Sequence, residues 1–266
     1  MLIFAQCETE NKAIFNQKLV VDGYIEKNEV ARVILSKNIP LNIILNRDNI
    51  EQYYVRNAKI TLSDGFNSEV LSLIAAPGLV PPFVYKGQTI IGQAGKTYDL
   101  KIEYLNQILN AQTIIPGSIV INALNSEKIS DKKGRINVKF TDDVGKNYYQ
   151  TLTKTKGQDS LFVPTLYGNL DDINFINNKV DVAILQGLKF FPEQEFDTSF
   201  ATNKVIEVKL RTMNKSTFDF WNSFQNEILN GQNPLFPASE NLKSNINGGY
   251  GNWAGYGADI KTIIIY

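Results

Sequence analysis

Histidine is absent from the 266-residue chain, and that absence removes more chemistry than any motif adds. Imidazole is the usual general base near neutral pH and the commonest metal ligand. Ser-His-Asp and Cys-His nucleophile systems cannot be assembled within this chain, nor can HExxH or other histidine-rich zinc sites. Cys7 is the one cysteine, so an intrachain disulfide and a thiolate cluster are excluded as well. Asp, Glu, Lys and Tyr remain as acid–base groups. The densest carboxylate group is Glu193, Glu195 and Asp197, in Phe190-Phe191-Pro192-Glu193-Gln194-Glu195-Phe196-Asp197. Two carboxylates facing each other across a scissile bond would give a glycosidase acting through Glu193 or Glu195. Residues two apart on a strand merely share a face. No motif supplies the further roles a catalytic site needs, so the chain reads as a non-enzyme with no catalytic residue, cofactor or metal.

Asp142-Asp143 and Asp171-Asp172 are acidic pairs in expected loops, where they could hold Ca²⁺ with backbone carbonyls. Neither follows the spaced pattern of an EF-hand loop, and solvated turn carboxylates are the better reading. Aromatic doublets stand at Tyr53-Tyr54, Tyr148-Tyr149 and Phe190-Phe191, each expected to put one ring in and one out. Glycines alternate with aromatics in the segment from Ser244 to Gly257. A glycan or peptide could be bound there by Tyr250, Trp253 and Tyr256. A tight irregular segment with its rings packed inward explains the same residues better, because an apolar final strand follows.

The elements that must position these residues are nearly all strands. Ala58–Ser63 alternates apolar and polar and ends in Asp64-Gly65, a tight-turn signal. Tyr98, Leu100, Ile102 and Tyr104 share one face, with Asp99, Lys101 and Glu103 on the other. Gly95-Lys96-Thr97-Tyr98 could place Tyr98 at a tyrosine-corner-like position; an ordinary core tyrosine fits equally well. Ile136, Val138 and Phe140 form a second such face, and so do Ile206, Val208 and Leu210 opposite Glu207, Lys209 and Arg211. One helix stands out, at about 216–230, with Ser216 as N-cap, Asp219 in the first turn and an apolar stripe of Phe218, Trp221, Phe224, Ile228 and Leu229. Gly231 and Pro234 would stop it, and Trp221 reads as the anchor packing it onto a sheet. The fold class is therefore mainly β, with tandem β-sandwich domains: an immunoglobulin-like one over 18–105 and a second over 106–266 carrying the helix. Residues 1–17 read as a signal remnant and tether.

Lys plus Arg and Asp plus Glu both number 27, which leaves no field to draw nucleic acid, so no nucleic-acid partner is expected. No apolar run is long enough to span a bilayer. Met1-Leu2-Ile3-Phe4-Ala5-Gln6-Cys7 is an apolar stub that turns polar at once with Glu8 and Glu10. It looks like the end of a bacterial lipoprotein signal peptide with Cys7 as the lipidated residue. The stub is shorter than a full signal and lacks its basic region, so the start reads as truncated. Gln6 departs from the small residue usual before such a cysteine.

Several segments then carry a resemblance: Leu19–Ile25 after the leading cysteine, Ala58–Gly65, Gly95–Leu100, Ala111–Pro116, Asn147–Tyr149 and Ser244–Gly251. In order and spacing they resemble the Bacteroidota lipoprotein family catalogued as domain of unknown function 4249, over Lys18 to about Ile265. The resemblance implies a lipid-anchored outer-membrane protein, on the periplasmic or the cell-surface face. It also implies an accessory role beside a TonB-dependent transporter. It carries over no catalytic residue.

Overall fold

A computed structural model describes residues 16–40, 43–75, 80–175, 178–188, 197–230 and 242–266. The first half forms β1 (Leu19–Glu26), β2 (Val30–Lys37), β3 (Lys59–Ser63), β4 (Ser68–Val70), β5 (Ser72–Ala75), β6 (Phe83–Ile91), β7 (Thr97–Tyr104) and β8 (Gln107–Ile114). The second half forms β9 (Ile121–Ser130), β10 (Lys133–Thr141), β11 (Tyr148–Thr155), β12 (Val163–Asp171), β13 (Lys179–Ile184), β14 (Phe200–Ala201), β15 (Val205–Met213), helix α1 (Lys215–Asn230) and β16 (Tyr250–Ile264). Alternation decides which way the strands face. In β7, Tyr98, Leu100 and Ile102 are buried while Thr97, Asp99 and Lys101 are exposed.

An eight-stranded sheet in the order β12-β11-β15-β16-β1-β2-β6-β5 runs through the molecule. Two four-stranded sheets pack on it to make tandem β-sandwiches, the first immunoglobulin-like. Sheet β4-β3-β7-β8 covers one end of it over a core that includes Val21, Val33, Ile60, Leu62, Tyr98 and Trp253. The sheet built on β10, with β9, β13 and β14 beside it, covers the other end over Ile136, Val138, Phe140, Tyr149, Val208 and Leu210. Each fully buried Ile, Leu or Val contributes roughly 1.5–3 kcal/mol, so either core is a substantial source of stability.

Strand β16 belongs to both sandwiches. Its residues Tyr250 to Tyr256 lie parallel to β1, and Gly257 to Ile264 pair antiparallel with β15. Trp253 in the first core and Ile263 against the second are of one parity, so both smaller sheets sit on the same face of the large one. The expected division at 105/106 falls at the tip of the β7–β8 hairpin, whose strands pair from Thr97↔Ile114 to Tyr104↔Gln107. The first core draws further on Ile115, Ile246 and Trp253. A division by sequence position cannot show that the last strand returns to the first sandwich.

Tyr98 takes the tyrosine-corner-like role. Its hydroxyl donates to the Ile91 carbonyl at 3.3 Å and accepts from the Gln93 N–H at 2.8 Å. The helix begins earlier than expected. Asn214, not Ser216, is the cap: its Oδ1 accepts from the Thr217 N–H at 2.9 Å and also from the Ser216 hydroxyl. Asp219 serves as the partner of Lys215 one turn away. Gly231 and Pro234 lie outside the described residues, as do the side chains of Ile228 and Leu229.

Candidate functional site

The face of the large sheet opposite the two cores carries α1. Met213, Phe218, Ala254 and Tyr256 form a third apolar cluster there, with Tyr24, Tyr148 and Trp221 against it. Tyr148 and Phe218 lie 4.7 Å apart between ring centres, while Tyr149 points into the second core, so this doublet splits in and out as its sequence predicts. The Trp221 indole N–H donates to the Tyr256 hydroxyl at 2.8 Å. Burial holds that phenol well above its usual range.

Lys209 and Arg211 belong to this face and are 7 % and 6 % exposed, although alternation alone marks them as solvent-facing. Both donate to the buried carboxylate of Glu26 on β1, Lys209 at 2.8 Å. The Arg211 guanidinium lies 4.3 Å from the Tyr256 ring centre and 4.9 Å from that of Tyr24. Burial alone would raise the Glu26 pKa, but the two cations hold it below its ordinary value. This network ties β1 to β15 across β16. It is a structural clamp.

Beyond Trp221 the helix leaves a groove of about 100 Å³ against β12. Its lining is Gln150, Pro164, Thr165, Leu166, Asn169, Leu188, Trp221, Phe224 and Gln225. A bulge in β12 shapes the floor. Gln150 pairs with Asn169 and Leu152 with Pro164, so Thr165 to Gly168 stand opposite Thr151 alone. Within that bulge Tyr167 has φ +56° and is 59 % exposed, a left-handed backbone at an aromatic residue that costs on the order of 1–3 kcal/mol. A Cβ at Gly168 would lie 2.2 Å from the Thr165 hydroxyl oxygen, so the turn accepts only glycine there. Thr165 in turn donates to the Thr151 carbonyl at 3.1 Å. The Gln150 carboxamide donates to Asn169 Oδ1 at 3.0 Å, but its own Oε1 is buried and has no partner among the described residues.

The sequence points elsewhere. Trp253 and Tyr256 are buried at 0 % and 1 %, so neither is a surface contact and both are withdrawn as ligand residues. Trp253 is a core anchor whose indole donates to the Tyr98 carbonyl at 3.0 Å. The Asn245 carboxamide serves both its N–H and its carbonyl at 2.8 Å. Gly251 has φ +110°, and a Cβ there would lie 1.9 Å from the Val21 carbonyl oxygen. These glycines let backbone pack on backbone. Tyr250 alone stays at the surface, 40 % exposed, beneath the Lys18 ammonium.

The acidic pairs are engaged within the turns. Lys146 joins both Asp171 and Asp172, which together raise its pKa, and Asp142 accepts from the Tyr149 hydroxyl. Asp197 accepts from Lys133 at 2.5 Å and from Ser199, and these bonds hold its pKa down to about 2. Glu193, Glu195, the Phe190-Phe191 doublet and Cys7 lie outside the described residues. No cluster of three or more potential metal-ligating side chains occurs among the described residues.

The groove itself is not announced by any motif, although the lone Gly168 inside a strand is a bulge signal. Gln150 sits in a run that lacks alternation because both faces of β11 are covered.

A model of the family described as Domain of unknown function (DUF4249) matches residues 6–262. The chain belongs to that family. Comparison with curated proteins gives no match for this DUF4249 member. Among solved structures, its chain is similar to "Cytokine receptor complex - Crystal form 1A", with 8 % identity, a TM-score of 0.26, and 92 % of this chain and 95 % of that one covered. It is also similar to the FN1–FN3 domains of chicken CNTN1, with 11 % identity, a TM-score of 0.23, and 92 % and 65 % covered. At these scores they add nothing to the architecture argued from the sheets.

Proposed function

We propose that this DUF4249 protein is a non-catalytic accessory lipoprotein of the outer membrane, anchored through Cys7 and associated with a TonB-dependent uptake system. The observation that carries the reading is the extent of the family match. It starts at residue 6 and takes in Cys7, which favours the cysteine as part of what the family shares. Acyl chains contribute about 0.8 kcal/mol per buried CH₂, and two chains hold a protein on a membrane where one does not. The carboxylates of Asp142, Asp171, Asp172 and Asp197 are spent on lysine, tyrosine and backbone partners, an arrangement that builds turns and favours a binding role over turnover. Affinity purification from native membranes in mild detergent tests the partnership. The protein should bring a β-barrel transporter with it; repeated recovery of the lipoprotein alone would remove the transporter from the account.

A second reading, a stand-alone surface module for a glycan or a peptide, is favoured by the groove between α1 and the β12 bulge. It does not draw on the segment from Tyr250 to Tyr256, where two of the three rings are buried.

A further inference from the structure

We infer that the groove between α1 and the β12 bulge is a subsite for one neutral sugar unit. The inference rests on the surface-module reading and names its ligand class. A volume of about 100 Å³ is well below the roughly 300–1,000 Å³ of a pocket that encloses a drug-sized ligand, so it takes a single ring of a longer, largely exposed chain. Trp221 and Phe224 form the aromatic wall, edge to face with ring centres 5.7 Å apart. Such rings offer a flat apolar surface for the C–H face of a pyranose. The polar residues that line it among those described are Gln150, Thr165, Asn169 and Gln225. Carboxamides and hydroxyls present donors and acceptors side by side, which matches sugar hydroxyls, themselves both donor and acceptor. Among the described residues no ionisable side chain lines the groove, so they offer a carboxylate, ammonium or phosphate group no counter-charge.

Two features show a site held ready. The first is the Gln150 Oε1 without a partner in a side chain only 1 % exposed. An unmet buried acceptor is costly, and a donor hydroxyl recovers that cost on binding. Gln150 itself lines the groove, so a hydroxyl bound there is the donor its oxygen lacks. The second is the strained Tyr167 backbone in the bulge that shapes the floor, a conformation no ordinary strand needs.

The test uses the full chain and methyl β-glucopyranoside, methyl β-galactopyranoside and methyl N-acetyl-β-glucosaminide, with a pool of uncharged tetrapeptides as the other arm. Saturation-transfer NMR detects binding, and tryptophan fluorescence reports it at Trp221, since Trp253 is sealed in the core. At least one glycoside should bind saturably, and both Phe224→Ala and Gln150→Leu should weaken it about tenfold. Phe224 is surface-exposed, so its variant decides the matter even where Gln150→Leu fails to fold. Peptide binding without glycoside binding overturns the sugar assignment and leaves the surface-module reading standing. Binding of neither overturns both, and glycoside binding indifferent to Phe224→Ala places the sugar elsewhere and overturns the groove.

Discussion

Glu26 is the residue on which the junction of the two sandwiches turns. Its carboxylate accepts from both Lys209 and Arg211, all three less than a tenth exposed. Glu26→Gln removes the one carboxylate bonded to both buried cations and should cost about 3–5 kcal/mol in urea denaturation. Replacing all three with apolar residues of similar size should restore most of that loss. The pH dependence has a definite sign. The folded pKa of Glu26 lies below its ordinary 4.5, so its contribution is fully present above that value. It is lost as pH falls through the folded value, and stability should drop more steeply below pH 4.5 in the native protein than in the apolar triple variant. Tyr98→Phe removes a buried hydroxyl that serves two backbone groups and should cost about 1–3 kcal/mol in the same assay. Tyr98 is legible in the sequence because its partners lie five and seven residues away. The Glu26 network is not, because its partners lie 183 and 185 residues away and alternation alone assigns Lys209 and Arg211 to solvent.

Helix α1 is legible as an element because a capping signal, an apolar stripe and a stop lie within one short segment. Its start is displaced because three capping-competent residues, Asn214, Ser216 and Thr217, fall close together and Asn214 reaches the Thr217 N–H. Asn214→Ala should destabilise the protein by about 1 kcal/mol, read from the denaturant midpoint, while Ser216→Ala should have little effect. The stripe extends to Phe220, which packs against Trp221 and Phe224 and is buried at 8 % exposure. The β12 bulge is the element that shapes the groove, and the sequence hints at it only through Gly168. Gly168→Ala should disturb the turn by driving a methyl group into the Thr165 hydroxyl, with loss of stability in the same assay. The glycines of the final segment carry two meanings in sequence, ligand loop or close packing. Only the approach of Gly251 to the Val21 carbonyl distinguishes them.

At the scale of the whole molecule, β16 makes one structure of two sandwiches. Its first seven residues complete the sheet beside β1 and the next eight complete the sheet beside β15. Calorimetry should therefore show a single cooperative transition, and two well-separated transitions would show that the sandwiches fold independently. Strand character and the two-sandwich class are legible because period-two alternation is a local property. The sharing of the last strand is not, because it is a long-range parallel pairing that leaves no local mark. The same whole-molecule view places Cys7 twelve positions before the first residue of β1, as the point from which both sandwiches would be held on a membrane. Intact-mass spectrometry of the protein extracted from the native membrane tests that claim most directly. The account predicts a mature chain that begins at Cys7 and carries at least two acyl groups there; an unmodified Cys7 in the native protein would contradict it.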